Sequence, residues 1–326
     1  MAARGALPLE AVELATVLFA LMHDPDVGVK DTARASLEQL PGHVLETVLS
    51  ASAHPALLAF LAQTHKDDEA LITKVALNPS ADDRTIAFLA SLPCSSVVDI
   101  ITQNQERMMR CDEIVDALGN NPLTGRAAIE RILGFLGMST PETAENTTEE
   151  PLSEQEAEAA VLTLLGSDLA DFASQLTRES EEAALDNQLG GNLVAALAHM
   201  TVVQKIKLAR LGGTEARGLL IRDRNKVVAC AAITSPKISD SEVTGYAKSR
   251  ALCDEVMRII ATNREWTKNY QIKLALAMNP KVPPRQAIGF LPYLRDKDLK
   301  TIMKSREVPS NIAAQARRVL QKKGKV

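Results

Sequence analysis

Residues able to ionise, coordinate a metal or attack a substrate are scattered along this chain rather than grouped. The histidines are His23, His43, His54, His65 and His199, four of them within the first 65 residues. None stands in an HExxH pair, which would place two imidazoles on one helix face for zinc. Turn and surface positions account for them, as with His54 before Pro55. Cys94, Cys111, Cys230 and Cys253 lie far apart without CxxC spacing, which argues against a zinc site and against a disulfide framework. Cys230 and Cys253 fall in apolar stretches, so buried, inert thiols are expected. The acidic runs Asp67-Asp68-Glu69 and Asp82-Asp83 read as helix starts, where carboxylates offset the macrodipole. There is no GxSxG, no GxGxxG and no Gly-rich phosphate loop followed by Lys. Gly212-Gly213 in RLGGTEARG reads as a helix connection. The expectation is therefore no catalytic residue, no metal ligand and no cofactor.

Charge carries more information than chemistry. The 326 residues sum to a net charge of −4, but residues 1–200 hold 11 Lys+Arg against 31 Asp+Glu, while residues 201–326 hold 26 against 10. Such a division implies separate partners for the two halves, or docking of one half on the other. In the basic half, Arg217, Arg222, Arg224, Lys226, Arg264, Lys268, Lys304 and Arg306 are the candidate contacts to an anionic ligand. The competing expectation is that these groups pair with Glu265, Glu307 and the acidic half.

The elements that must position these charges are repeated. An Ala-rich apolar stretch ending in Asn-Pro or Ser-Pro recurs as KVALNPSADD, DALGNNPLTG, CAAITSPKIS and ALAMNPKVPP, with prolines at 79, 122, 236 and 280. A second landmark keeps phase with it in DIITQNQERM, MRIIATNREW and KTIMKSREVP, at Asn104, Asn263 and Ser305. The period is about 43 residues, within the range of three-helix repeats. In the last unit Pro283 and Pro284 open a helix whose stripe is Ala287, Leu291 and Leu294. A polar break, Arg295 to Asp298, leads to Leu299, Ile302 and Met303 on one face. The spacing of Trp266, Tyr270 and Leu274 predicts a third helix running through all of them to the Asn-Pro stop. Aromatics are only 3% of the chain, so the core must be Ala, Leu, Ile and Val, which suits close-packed helices. The fold class expected is all-α, an α-solenoid.

The segment DPDVGVKDTARASLEQL, with Asp24 and Asp26 as candidate N-caps before Val29, Ala33, Leu37 and Leu40, resembles the HEAT-repeat signature. IRDRNKVVACAA, with Asp223 before Val227 and Ala231, is a weaker echo. The Asn-Pro turns resemble those of leucine-rich repeat variant proteins, and QKIKLARLGGTEARGLLIRDRNK onward is similar to a bacterial helical-repeat family without an assigned activity. These resemblances imply HEAT/armadillo-like architecture and no reaction.

The array is interrupted at residues 138–152, MSTPETAENTTEEPL, which has four Glu and almost no apolar side chain. Helix resumes at Ser153, whose spacing to Glu156 is that of a capping box, and Gly190-Gly191 marks a further break. The division expected is an acidic array over 1–137, a linker over 138–152, an acidic helical segment over 153–186 and a basic array over 187–326. No apolar run is long enough to span a bilayer and the N-terminus lacks a cleavable signal pattern, so a cytoplasmic protein is expected. The function expected is a non-enzymatic scaffold binding protein partners through extended surfaces. The alternative is binding of nucleic-acid phosphates by the basic array. A HEAT-like DNA glycosylase is a remote third, because no acidic residue matches a catalytic motif and Trp266 lies in register with core residues.

Overall fold

The computed structural model describes residues 2–5, 8–137, 159 and 197–324. The linker, the segment resuming at Ser153 and the Gly190-Gly191 break lie outside these, apart from Ala159. Every element among the described residues is helical, so the fold is all-α. The chain divides into two compact units, Met1–Ile132 and Leu133–Val326.

In the first unit, α1 (Ala11–Leu21), α2 (Val27–Glu38), α3 (Gly42–Ser50), α4 (Pro55–Thr64) and α5 (Glu69–Leu77) precede α6 (Asp83–Ser91), α7 (Ser95–Ile101), α8 (Gln105–Arg110), α9 (Asp112–Asn120) and α10 (Arg126–Phe135). The acids expected at helix starts are caps. Asp26 accepts from the N–H groups of Gly28 and Val29, Asp68 from Ala70 and Leu71, and Asp82 from Thr85. Each satisfies donors that the helix itself leaves open. Packing follows chain order: α1 lies on α2 and α3, α3 on α5, α5 on α7, and α6 on α9. Ala33 and Leu37 are fully buried, as their spacing predicted.

The second unit runs α11 (Val202–Leu211), α12 (Thr214–Leu220), α13 (Lys226–Ile233), α14 (Asp240–Lys248), α15 (Asp254–Thr262), α16 (Tyr270–Met278), α17 (Pro284–Phe290), α18 (Asp296–Lys304) and α19 (Ser310–Lys322). Thr201 with Gln204 and Ser239 with Glu242 form reciprocal capping boxes at α11 and α14. Here α11 packs on α13, α13 on α15, α14 on α16, and α18 on α19. Within each unit the arrangement is solenoid-like, each helix covered by near neighbours in sequence. Helix α13 is buried on all sides, Val227 through Ile233 being fully inaccessible. Three of those seven residues are alanines, small enough to let helices approach from every direction.

One predicted helix is shorter than its spacing suggested. Trp266–Lys268 forms a 3₁₀ turn and α16 begins only at Tyr270, because Asn269 caps it by accepting from the Gln271 N–H. Trp266 is nonetheless buried, 9% exposed. The second landmark is a polar turn: Asn104 accepts from the Arg107 N–H, Asn263 from those of Glu265 and Trp266, and Ser305 from that of Glu307.

The first landmark does more than stop a helix. Asn78 donates through Nδ2 to the carbonyls of Leu49 and Ala51 at 2.6 and 2.9 Å, and its Oδ1 accepts from the Ser80 N–H at 2.8 Å. Asn121 repeats this on Ala90 and Leu92, both at 2.7 Å, with the Leu123 N–H at 2.9 Å. Asn279 does so on Ala247 and Ser249, both at 2.8 Å, with the Lys281 N–H at 3.0 Å. In each case the side chain ending one helix fills the open C-terminal carbonyls of an earlier one: α5 on α3, α9 on α6, α16 on α14. Asn is the shortest side chain with two donors and an acceptor, which is the set this position uses. The proline that follows donates no N–H, and the acceptor instead receives the N–H beyond it.

Side chains of other types serve two further helix ends. Ser235 stands where Asn would, with one donor too few, and its buried hydroxyl has no hydrogen-bond partner among the described residues. The carbonyl of Gly212, ending α11, receives Arg217 Nη1 at 2.9 Å instead. At the end of α19, Lys323 Nζ reaches the Leu294 carbonyl at 3.2 Å.

The Asn78-Pro79 turn is also gripped from outside. Arg107 on α8 donates to the carbonyls of Ala81, Pro79 and Asn78 at 2.7, 3.1 and 3.4 Å. Arg110 holds both oxygens of Asp83 at 2.7 and 2.8 Å. That hydrogen bond, with the charges of Arg110 and Arg107, keeps the Asp83 carboxyl below its ordinary value of 3.8 despite partial burial. A depressed folded value stabilises the protein at pH above 3.8, and the contribution disappears as pH falls through the folded value. Arg110→Ala should therefore lower the urea midpoint of the first unit at neutral pH, and the difference from the parent should close as pH falls below 3.8 and through the depressed folded value.

Candidate functional site

The basic residues singled out by sequence separate into buried and exposed sets. Arg217 is fully buried. Its Nε and Nη2 hold the two oxygens of Glu242 at 3.1 Å each, Nη1 takes the Gly212 carbonyl, and Nη2 also reaches Thr214 Oγ1 at 3.3 Å. Glu242, 8% exposed at its side chain, accepts in addition from the Ser239 N–H and the Tyr246 hydroxyl. Arg217 thus belongs to a structural ion pair between α12 and α14, and its burial leaves no donor facing an external phosphate. Burial, reinforced by the charge of Glu242, pushes the Tyr246 phenol well above its ordinary value.

The other seven reach solvent on three short connections. Arg222, Arg224 and Lys226 share the loop from α12 into α13. Arg222 folds back onto the Gly218 carbonyl at 2.6 Å. Asp223 in the same loop pairs with Lys205 of α11 at 2.8 Å, a largely sheltered contact that charge counting did not single out. Arg264 and Lys268 lie in the turn after α15, and Lys304 and Arg306 flank the turn after α18.

The expectation that neighbouring acids would neutralise these cations holds for some and fails for the repeated pair. Glu265 is taken by Lys268 at 2.7 Å, and Glu307 by Arg250, which lies 57 residues away in the chain. The Arg250 hydrogen bond and charge hold the Glu307 carboxyl below its usual value. Arg264 and Arg306, one residue before those acids, are exposed and have no acid within ion-pair distance among the described residues. Because Asn263 and Ser305 occupy the same repeat position, the two arginines leave equivalent turns.

Sequence reasoning missed a neighbouring groove of about 290 Å³, lined by Lys248, Arg250, Gln271, Leu274 and Met278. Leu274, expected in the core, is only partly buried and forms its apolar wall. Alongside, Lys273 stands 5.4 Å over the ring of Tyr293, which is 70% exposed, and Arg295 stacks 4.8 Å from the Tyr270 ring. No sequence signal marked Tyr293, because LPYLRD reads equally well as core or surface.

His65 faces a wide acidic cleft with Asp67, Asp68 and Glu69. Asp68 is committed to capping α5, and no group of three His, Cys, Asp or Glu suited to a metal occurs among the described residues. No described helix is long and apolar enough to cross a membrane. No protein-family model matches the chain, and no curated protein and no solved structure matches it.

Proposed function

We propose that the chain is a non-enzymatic interaction scaffold of HEAT/armadillo-like repeats, whose basic unit binds an acidic protein surface. The observation that carries this reading is the pair Arg264 and Arg306. They leave equivalent turns of successive repeats, exposed and without an acid partner among the described residues, while the glutamates beside them are committed to Lys268 and Arg250. Cations presented at a repeat interval match an extended anionic ligand better than a compact one. A protein partner is favoured over nucleic acid because the groove beside Arg250 offers Leu274 and Met278 to an apolar side chain, which a phosphate backbone lacks. In this reading Arg222, Arg224, Lys226, Lys268 and Lys304 steer the encounter rather than fix the register.

The test is fluorescence anisotropy of the full chain against a labelled poly-glutamate peptide containing leucines, and against duplex DNA and single-stranded RNA, at two salt concentrations. Binding of the peptide should weaken at least about tenfold in R264E/R306E and fall with salt. Tighter, steeply salt-dependent binding of DNA or RNA, equally sensitive to the two arginines, would favour the phosphate-backbone alternative. Indifference to both arginines would remove them from any binding surface.

A further inference from the structure

The asparagine link is made alike at Asn78, Asn121 and Asn279, but its surroundings differ. Asn279 holds the carbonyls of Ala247 and Ser249, so Lys248 stands between them and Arg250 just beyond. The matching residues are Ser50 and Ser52 at Asn78, and Ser91 and Pro93 at Asn121. Leu274 and Met278 precede Asn279 where Thr73 and Leu77 precede Asn78, and where Asp116 and Asn120 precede Asn121. Of the three links, the last alone brings two cations together with two apolar walls, and these line the groove. The link does not require them, since Asn78 and Asn121 make the same bonds without them. Arg250 is also held by Glu307, which reaches it at 2.5 Å from the turn after α18, the two side chains being 49% and 61% exposed. An ion pair so open to water contributes little to stability and yields readily to another carboxylate.

We propose that the groove takes a Glu or Asp side chain together with a nearby Leu or Met of an acidic partner protein, and that Glu307 is the internal carboxylate this partner displaces. The inference rests on the reading of the basic unit as an acceptor of acidic protein surfaces, and adds what anchors the ligand and what competes for the anchor. Charge and polarity select the occupant. Lys248 is exposed and has no acid within ion-pair distance among the described residues. Arg250 engages Glu307 through Nη2 alone, leaving further donors of its guanidinium for a ligand. Leu274 and Met278, each partly buried, lose their remaining contact with water when an apolar side chain covers them. Glu307 offers the groove only its carboxylate, because Val308 beside it is buried and does not line the groove. A ligand that brings both groups therefore outcompetes it, whereas an isolated carboxylate has no such advantage.

Glu265 supplies the internal control. It holds the same repeat position as Glu307 but pairs with Lys268, which does not line the groove. The full chain and its variants, each checked for folding by Trp266 fluorescence, are titrated at low salt into a fluorescein-labelled peptide of glutamates and leucines. A second peptide carries serines in place of the leucines. Glu307→Gln should tighten binding of the leucine peptide at least about threefold, beyond the effect of Glu265→Gln, which removes the same charge. That gain should vanish in an Arg250→Gln background. The parent should bind the leucine peptide at least about fivefold tighter than the serine peptide. Equal gains from the two glutamine variants, a gain that survives Arg250→Gln, or indifference to leucine would overturn the proposal. Binding that still depends on Arg264 and Arg306 would then leave the broader reading standing. No binding of either peptide by the parent or by Glu307→Gln would remove both.

Discussion

Asn279→Ala should lower the stability of the second unit by about 3 kcal/mol, as one buried and two part-buried backbone groups lose their partner at once. The Ala247 and Ser249 carbonyls lose their donors, and the Lys281 N–H loses its acceptor. The side chain is 3% exposed, so replacement by water requires a cavity that alanine only partly opens. Trp266, the single tryptophan, is buried in the adjoining turn and reports the transition by fluorescence. With a urea m-value of about 2 kcal/mol/M, the midpoint should fall by about 1.5 M. Asn279→Asp separates lost packing from lost donors. It preserves the shape but sets a carboxylate against two carbonyl oxygens, so at neutral pH it should cost at least as much as alanine. Its folded-state carboxyl is raised above the unfolded value, so the deficit should shrink as the solution is acidified and a proton restores one donor. A midpoint unchanged in both variants would mean that the asparagine merely ends its helix.

The second large effect concerns Arg217 and Glu242. Arg217→Met should destabilise the second unit by about 4 kcal/mol, because Glu242 is left charged and nearly buried while the Gly212 carbonyl loses its donor. Glu242→Gln should cost less. The amide oxygen can still serve Ser239 in the capping box, although Arg217 keeps an unopposed charge. The double variant Arg217→Met/Glu242→Gln should recover at least about 2 kcal/mol relative to the sum of the singles, since neither leaves a buried charge behind. Urea unfolding followed through Trp266 gives all three values. Additive losses would show that the two side chains act independently, and that the arginine's tie to α11 outweighs its tie to α14.

What the sequence disclosed follows from which forces act over short stretches. Helix starts at Asp26, Asp68 and Asp82 were legible because a cap and the N–H groups it serves lie within three residues. The burial of Ala287, Leu291 and Leu294 was legible from their spacing, but not that α17 stops at Phe290 and Leu291–Tyr293 continues as a 3₁₀ turn. The repeat was legible through its prolines, but the proline drew attention from the asparagine before it. An asparagine that ends a helix and one that caps another about 30 residues back look identical in one dimension. The exchange of Asn for Ser at position 235 was visible, whereas the arginine serving the affected helix end was counted among surface cations. Charge counting sees that a group is ionised and not which way it turns, so Arg217 and Arg264 were indistinguishable until α14 brought Glu242 to one of them. Cys230 is buried as expected, but Cys253 lies partly exposed at the start of α15, since a helix boundary shift of a few residues separates a buried thiol from one at a helix start.

The asparagine links each span only 27 to 32 residues. A ribosome adds such a length in about 2 to 6 seconds, while helices and short loops close in microseconds. Each link can therefore form as soon as its own stretch of chain is free, well before the following repeat has been made. Synthesis then becomes a sequence of completed layers, each offering its exposed apolar face as the template for the next. The hazard this leaves is a single unfinished face at the growing end, rather than a whole uncollapsed chain.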